Sequence, residues 1–123
     1  MKDTDIENYP VLVDRKVGFY HGNGEYDDRT DWIYSKYQCS ANKTYSITTI
    51  LRGGVGMPLA LFYDANNKLL SVTDIVSTSN EATYTNEVIT TPKDCAYTII
   101  NFYSNNATST PVTSVVRMVE SSS

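Results

Sequence analysis

Several short stretches of this sequence carry residue types that could do chemistry. The segment ALFYDANNKLLSV, residues 60 to 72, sets Asp64, Asn66 and Lys68 in alternation, like the opening of a calcium loop. An EF-hand loop needs oxygen donors at positions 1, 3 and 5, Gly at 6 and a bidentate Glu at 12. Counted from Asp64, those places hold Asn66, Lys68, Leu69 and Ile75. A cation in a ligand position and two apolar residues exclude the motif. Asp and Asn instead tolerate left-handed backbone and bond to their own main chain, so the segment reads as two strands joined by a tight turn. On that reading Leu59, Leu61 and Tyr63 share one face, and Ala60 and Phe62 the other.

Glu25, Asp27, Asp28 and Asp31 form a denser carboxylate group. Hard oxygen donors suit calcium, which makes Asp27, Asp28 and Asp31 weak metal candidates. The heavier reading is a solvated loop, partly neutralised by Arg29, because loop carboxylates are mostly exposed. A glycosidase pair would need two carboxylates at a set separation, and nothing in the spacing sets one. His21 has no Gly-x-Ser-x-Gly elbow to serve. GNGEYD has Asp27 where a dinucleotide fingerprint has its third glycine, and RGGVGM lacks the Lys-Ser/Thr of a phosphate loop. Catalytic residues are therefore not assigned, an enzyme is not expected, and no cofactor is implied.

Aromatic residues offer binding chemistry. A pyranose face stacks on Tyr or Trp, while Asp, Asn or Arg bond its hydroxyls. Tyr20, Tyr26 and Tyr34 flank Trp32, the single tryptophan, with Asp28, Arg29 and Asp31 as polar company. The candidate glycan set is thus Tyr20, Tyr26, Trp32, Asp28, Arg29 and Asp31. Trp32 has a competing and heavier reading as core. Cys39 and Cys95 lie 56 positions apart with one histidine in the chain, which is no zinc spacing. They read as buried thiols, with a long-range disulfide left open.

The elements that must position these residues are strands. No segment keeps a 3.6-residue apolar period for the eleven or more positions a helix needs. Short runs rich in Tyr, Thr and Val recur instead, broken by Gly, Pro, Asn or Asp roughly every 8 to 12 residues. TDWIYSKYQC alternates Trp32, Tyr34 and Lys36 against Ile33, Ser35 and Tyr37. The expected fold is all-β: an antiparallel β-sandwich, a jelly roll of about eight strands. Residues 1–16 form an N-terminal arm or first edge strand, since Pro10 disfavours a central strand. Residues 17–119 form the sandwich and 120–123 a polar tail.

A chain of 123 residues with 41% hydrophobic and 20% charged content can build one real core. A net charge of −4 with scattered Lys and Arg argues against nucleic acid and against anionic membranes. No stretch approaches the roughly 20 apolar residues of a membrane span, and no signal-peptide core opens the chain. Manufacture in a cytosol is expected.

The order of three motifs carries a resemblance. GFYHGNGEYDDRTDWIYSKYQCSANKTYSI, then LALFYDANNKLLSV, then ITTPKDCAYTIINFY resembles the jelly-roll, carbohydrate-binding-like modules of bacteriophage fibre and virion appendage proteins and of bacterial surface proteins. The match covers about residues 17 to 104. It departs from the family pattern at YQCSANKTY, which lacks two prolines and has Asn42 in place of glycine, and at Cys95, in place of alanine. The similarity places both cysteines beside turns at one end of the sandwich. The resemblance implies a non-enzymatic virion protein of a tailed bacteriophage, a capsid decoration or fibre-associated module assembled in the bacterial host cytoplasm. Residues 1–16 would dock it to other virion proteins, host surface glycans would be its outward partner, and self-association is left open. The alternative is a carbohydrate-binding module of a bacterial surface protein. A hydrolase using the acidic loop stands last.

Overall fold

The computed structural model describes residues 10–52, 57–73, 75–76, 82–103 and 117–120. Among them the chain is entirely strand and turn. The strands are β1 (Val11–Val17), β2 (Phe19–Tyr20), β3 (Tyr26–Asp27), β4 (Trp32–Gln38), β5 (Thr44–Leu51), β6 (Met57–Pro58), β7 (Leu61–Tyr63), β8 (Leu69–Val72), β9 (Ile75–Val76), β10 (Ala82–Thr90), β11 (Tyr97–Tyr103) and β12 (Arg117–Glu120). Eight have three residues or more. Four are two-residue ladders, β2 paired with β3 and β6 with β9.

The long strands make two antiparallel sheets, one of five strands in the order β1-β4-β11-β7-β8 and one of three in the order β10-β5-β12. Neighbours come from distant parts of the chain, β4 beside β11 and β5 beside β10 and β12. The chain crosses repeatedly between the two sheets, as in an antiparallel β-sandwich, with β1 at one edge. Between the sheets lies one core, built from the inward positions of both: Ile33 and Tyr37 of β4, Tyr45 and Ile47 of β5, Phe62 of β7, and Ile100 and Phe102 of β11. The period-2 alternation in β4 and β5 produces it, because one residue in two must face the other sheet.

The segment around Asp64 is the β7–β8 hairpin. Asp64 Oδ1 accepts from the amides of Asn66 (2.8 Å) and Lys68 (2.9 Å), and Asn67 takes φ 63°. Leu61 and Tyr63 lie on the outer face, Ala60 and Phe62 in the inter-sheet core. At the β4–β5 turn Asn42 adopts φ 58°, which explains how a non-glycine residue fills this place: a short amide side chain tolerates left-handed backbone. Thr91 closes that turn, its Oγ1 accepting from Lys43 N (3.0 Å) and donating to Ser40 O (2.7 Å).

Residues 11–16 belong to β1, an edge strand registered along β4 from Val11 opposite Gln38 to Val17 opposite Ile33. A bulge between Leu12 and Asp14 interrupts that ladder, a feature that discourages further edge pairing. Residues 1–9 of the expected arm lie outside the described residues. At the other end Glu120, first of the expected tail, pairs with Tyr45 in β12. The polar run ATYTN starts β10, an exposed edge whose side chains need no apolar face.

Candidate ligand-binding face

The five-stranded sheet has an outer face, and its residues follow from register. Tyr34 and Lys36 of β4 stand opposite Asn101 and Ile99 of β11 on one side and Lys16 and Asp14 of β1 on the other. Tyr97 and Ile99 stand opposite Tyr63 and Leu61 of β7. This face is richer in tyrosine than any inward surface, and water reaches part of it.

Onto it folds the β2–β3 hairpin. Asn101, 1% exposed, holds the hairpin by its main chain: Tyr20 N donates to Oδ1 (3.0 Å) and Nδ2 donates to Tyr20 O (2.8 Å). A second tie runs from Gly18 N to Trp32 O (2.8 Å). The turn itself is closed by His21 N to Glu25 O and Gly24 N to His21 O, each 2.8 Å. Gly24 has φ +90°, and a Cβ there would lie 3.3 Å from Leu69 and 3.5 Å from the Tyr63 hydroxyl, so glycine permits the close approach.

Strand alternation makes the hairpin divide the aromatics. Phe19 points to Trp32 (ring centroids 4.6 Å) and thence to Tyr103, in a cluster with Leu51, Met57 and Leu59. Tyr20 points the other way, its centroid 5.4 Å from Tyr26, 5.0 Å from Tyr34 and 6.4 Å from Tyr63, all edge-on. Tyr26 is 50% exposed and lies 6.1 Å from Tyr34, with its hydroxyl donating to Val17 O at 3.2 Å. Edge-to-face packing suits the ring quadrupoles and leaves a ring surface open to solvent.

The rim of this patch is charged. Tyr34 donates its hydroxyl proton to Asp14 Oδ2 at 2.8 Å, and Lys16 Nζ lies 3.9 Å from Asp14 Oδ1. Lys36 Nζ sits 4.4 Å over the Tyr97 ring and bonds Asn67 Oδ1 from the β7–β8 turn. Burial and then the Asp14 hydrogen bond push the Tyr34 phenol well above its ordinary range. Burial, with a smaller push from Tyr26, raises Tyr20 too. The Tyr20 and Tyr34 phenols therefore hold their protons at physiological pH, and their oxygens can accept hydrogen bonds.

Of the residues expected to bind glycan, Tyr20 and Tyr26 are brought together. Asp28, Arg29 and Asp31 are not part of their patch. Trp32 is 4% exposed and packs against Phe19 and Tyr103, the position of a core residue rather than of an exposed stacking platform. Arg29 and Asp31 pair with each other (3.1 Å) beside a dent of about 250 Å³ lined also by Trp32, Arg52 and Tyr103, so the expected residues Arg29, Asp31 and Trp32 meet each other away from Tyr20 and Tyr26. Asp28 is exposed. The weak calcium candidates are dispersed: Asp27 Oδ2 lies 3.1 Å from His21 Nε2, and Asp31 is taken by Arg29. Among the described residues no three His, Cys, Asp or Glu side chains converge as metal donors.

Sequence reasoning missed Asp14, Lys16, Lys36, Tyr63, Tyr97 and Asn101 as contributors to this face. Their contribution rests on pairing between distant strands. One signal was available: Asn101 is a lone amide inside the apolar run YTIINFY, and a polar side chain there must find buried partners. A different concavity, about 480 Å³, opens where β8 faces β10. Its lining mixes apolar residues (Leu59, Phe62, Val72, Val88 and Ile89) with polar ones (Ser71, Thr73, Glu87 and Thr90) and offers no exposed aromatic platform.

No protein-family model matches the chain, and no curated protein or solved structure matches it either.

Proposed function

We propose that this chain is a non-enzymatic accessory protein of a tailed bacteriophage particle, whose tyrosine face makes weak contact with host surface glycans. One observation carries the glycan part. The half-exposed Tyr26 ring packs edge-on against Tyr20 and Tyr34, and Tyr34 in turn donates to Asp14 of the Asp14–Lys16 pair. An apolar ring face next to hydroxyl and carboxylate groups matches the alternating apolar and polar surface of a pyranose. Such a shallow patch binds weakly per copy, and repetition over a particle supplies avidity. The particle setting is supported by the resemblance of the three ordered motifs to virion appendage modules.

The glycan reading is tested with a multimerised form of the protein on an array of bacterial surface glycans. Binding that falls at least tenfold in Tyr26→Ala, with the fold intact by circular dichroism, is the expected result. No binding by the wild-type multimer, or binding indifferent to Tyr26, overturns it. The particle setting is tested separately by mass spectrometry of purified phage. Absence of the chain from particles, with glycan binding retained, would favour the module of a bacterial surface protein instead.

A further inference from the structure

Cys39 directly follows β4, and Cys95 stands two residues before β11. These are the neighbouring strands at the centre of the five-stranded sheet. The Cys39 amide donates to Ala96 O at 2.9 Å, which holds the two segments side by side. Both thiols are buried and free, and their sulfurs are 3.8 Å apart. Cys39 Sγ also lies 3.2 Å from Thr98 Oγ1, and Cys95 Sγ lies 3.4 Å from Tyr97 O.

We propose that Cys39 and Cys95 are a site of oxidative modification, a paired dithiol that peroxide closes into an intramolecular disulfide. A disulfide needs sulfurs about 2.05 Å apart, so the gap to be closed is under 2 Å, within reach of a side-chain rotation. Two sulfurs already in contact inside a core have no competing partner of their own kind. The shared hydrogen bond makes the pair unequal. Cys39 holds its proton, kept on by the bond to Cys95 and by burial, whereas the Cys39 thiol stabilises a Cys95 thiolate. Cys95 is accordingly the attacking sulfur.

The chemistry balances with hydrogen peroxide as oxidant. The Cys95 thiolate attacks one peroxide oxygen and the O–O bond breaks, leaving a sulfenic acid and hydroxide. The hydroxide takes the Cys39 thiol proton and becomes water. The Cys39 thiolate then attacks the Cys95 sulfur, forms the S–S bond and expels hydroxide. That hydroxide is neutralised by the proton Cys95 first released. Two thiols lose two electrons, and one peroxide becomes two waters. Peroxide is close to water in size, so burial that excludes a bulky alkylating reagent still admits it.

The test treats the folded, reduced protein with hydrogen peroxide, then denatures it, alkylates free thiols and measures intact mass. The expected product is a monomer lighter by two hydrogens that takes up no alkylating label. Peptide mapping should join Cys39 to Cys95, and the thermal midpoint should rise on the order of 10 °C and fall again with dithiothreitol. Cys95→Ser should slow peroxide consumption more than Cys39→Ser, and neither should form the bridge. If a serine variant fails to fold, the mapped wild-type bond still decides the question. Sulfinic acid on one cysteine, a disulfide-linked dimer, or thiols left free at peroxide levels that oxidise the denatured chain would each overturn the proposal.

Discussion

The Asn101 side chain and the Tyr20 main chain form a closed two-bond pair, Tyr20 N to Oδ1 at 3.0 Å and Nδ2 to Tyr20 O at 2.8 Å. It is the bond pattern of a β-ladder, made by a side chain rather than by a strand. Replacing Asn101 with Ala leaves a buried donor and a buried acceptor without partners, a loss of about 3 kcal/mol. Asn101→Asp keeps an acceptor but cannot donate to Tyr20 O, so it should be no better than Ala. Urea unfolding of the three proteins measures this. The near-ultraviolet tyrosine signal should drop in both variants as Tyr20 leaves Tyr34.

The strands were legible in the sequence where one face meets the core. Trp32 to Gln38 alternates cleanly, and the β7–β8 hairpin was readable from Asp64 and Asn67 as turn residues. The exposed β10 was not, because a solvent-facing edge imposes no alternation, and Asn86, at φ 53°, sits in a bulge that shifts its phase. The candidate site was legible only in part. Proximity in sequence grouped Trp32 with Tyr20 and Tyr26, but neighbouring residues on a strand point to opposite sides. Phe19 and Tyr20 thus send the two sets apart. Tyr63, Tyr97 and Asn101 arrive by register between strands far apart in the chain, and no local pattern encodes that.

Tyr63 is 6% exposed, and its hydroxyl has no hydrogen-bond partner among the described residues. Burial, then the proximity of Tyr20, pushes its pKa up to about 12 from 10.0. A raised folded-state value means the folded protein resists losing this proton. The corresponding stability is fully present below pH 10 and disappears as pH climbs towards 12. Tyr63→Phe removes an unpaired polar atom at little cost in shape. It should be neutral or about 1 kcal/mol stabilising at pH 7, and it should flatten the alkaline limb between pH 10 and 12. Urea midpoints across that range check both, and a destabilised variant at pH 7 would contradict the orphaned hydroxyl.

Gly18 links β1 to the hairpin at φ +146°, and a Cβ there would come within 2.5 Å of Tyr26 Cε1. Gly18→Ala should cost about 1–3 kcal/mol in backbone strain and force the Tyr26 ring away from Val17 O. Glycan binding should then fall as far as in Tyr26→Ala, although no ring is removed. Tyr26→Phe keeps the ring and loses only the hydroxyl bond, so most binding should survive. Array signals for the three variants at matched stability distinguish ring position from ring presence.

The docking role proposed for the N-terminal segment needs a deletion that spares the fold. Removing residues 1 to 16 takes six of the seven residues of β1 with it. It strips Asp14 from Tyr34 and Arg15 from Ser35 and Tyr37, the latter bonds being 2.8 and 3.0 Å. The bare β4 edge would expose unpaired amides and carbonyls, so this protein should aggregate or unfold whatever the arm does. Removing residues 1 to 9 leaves β1 and its register with β4 whole. The shorter deletion should keep the thermal midpoint within a few degrees while abolishing incorporation into particles, measured by mass spectrometry of purified phage. Normal incorporation of that protein would move the docking surface from the arm to the sandwich.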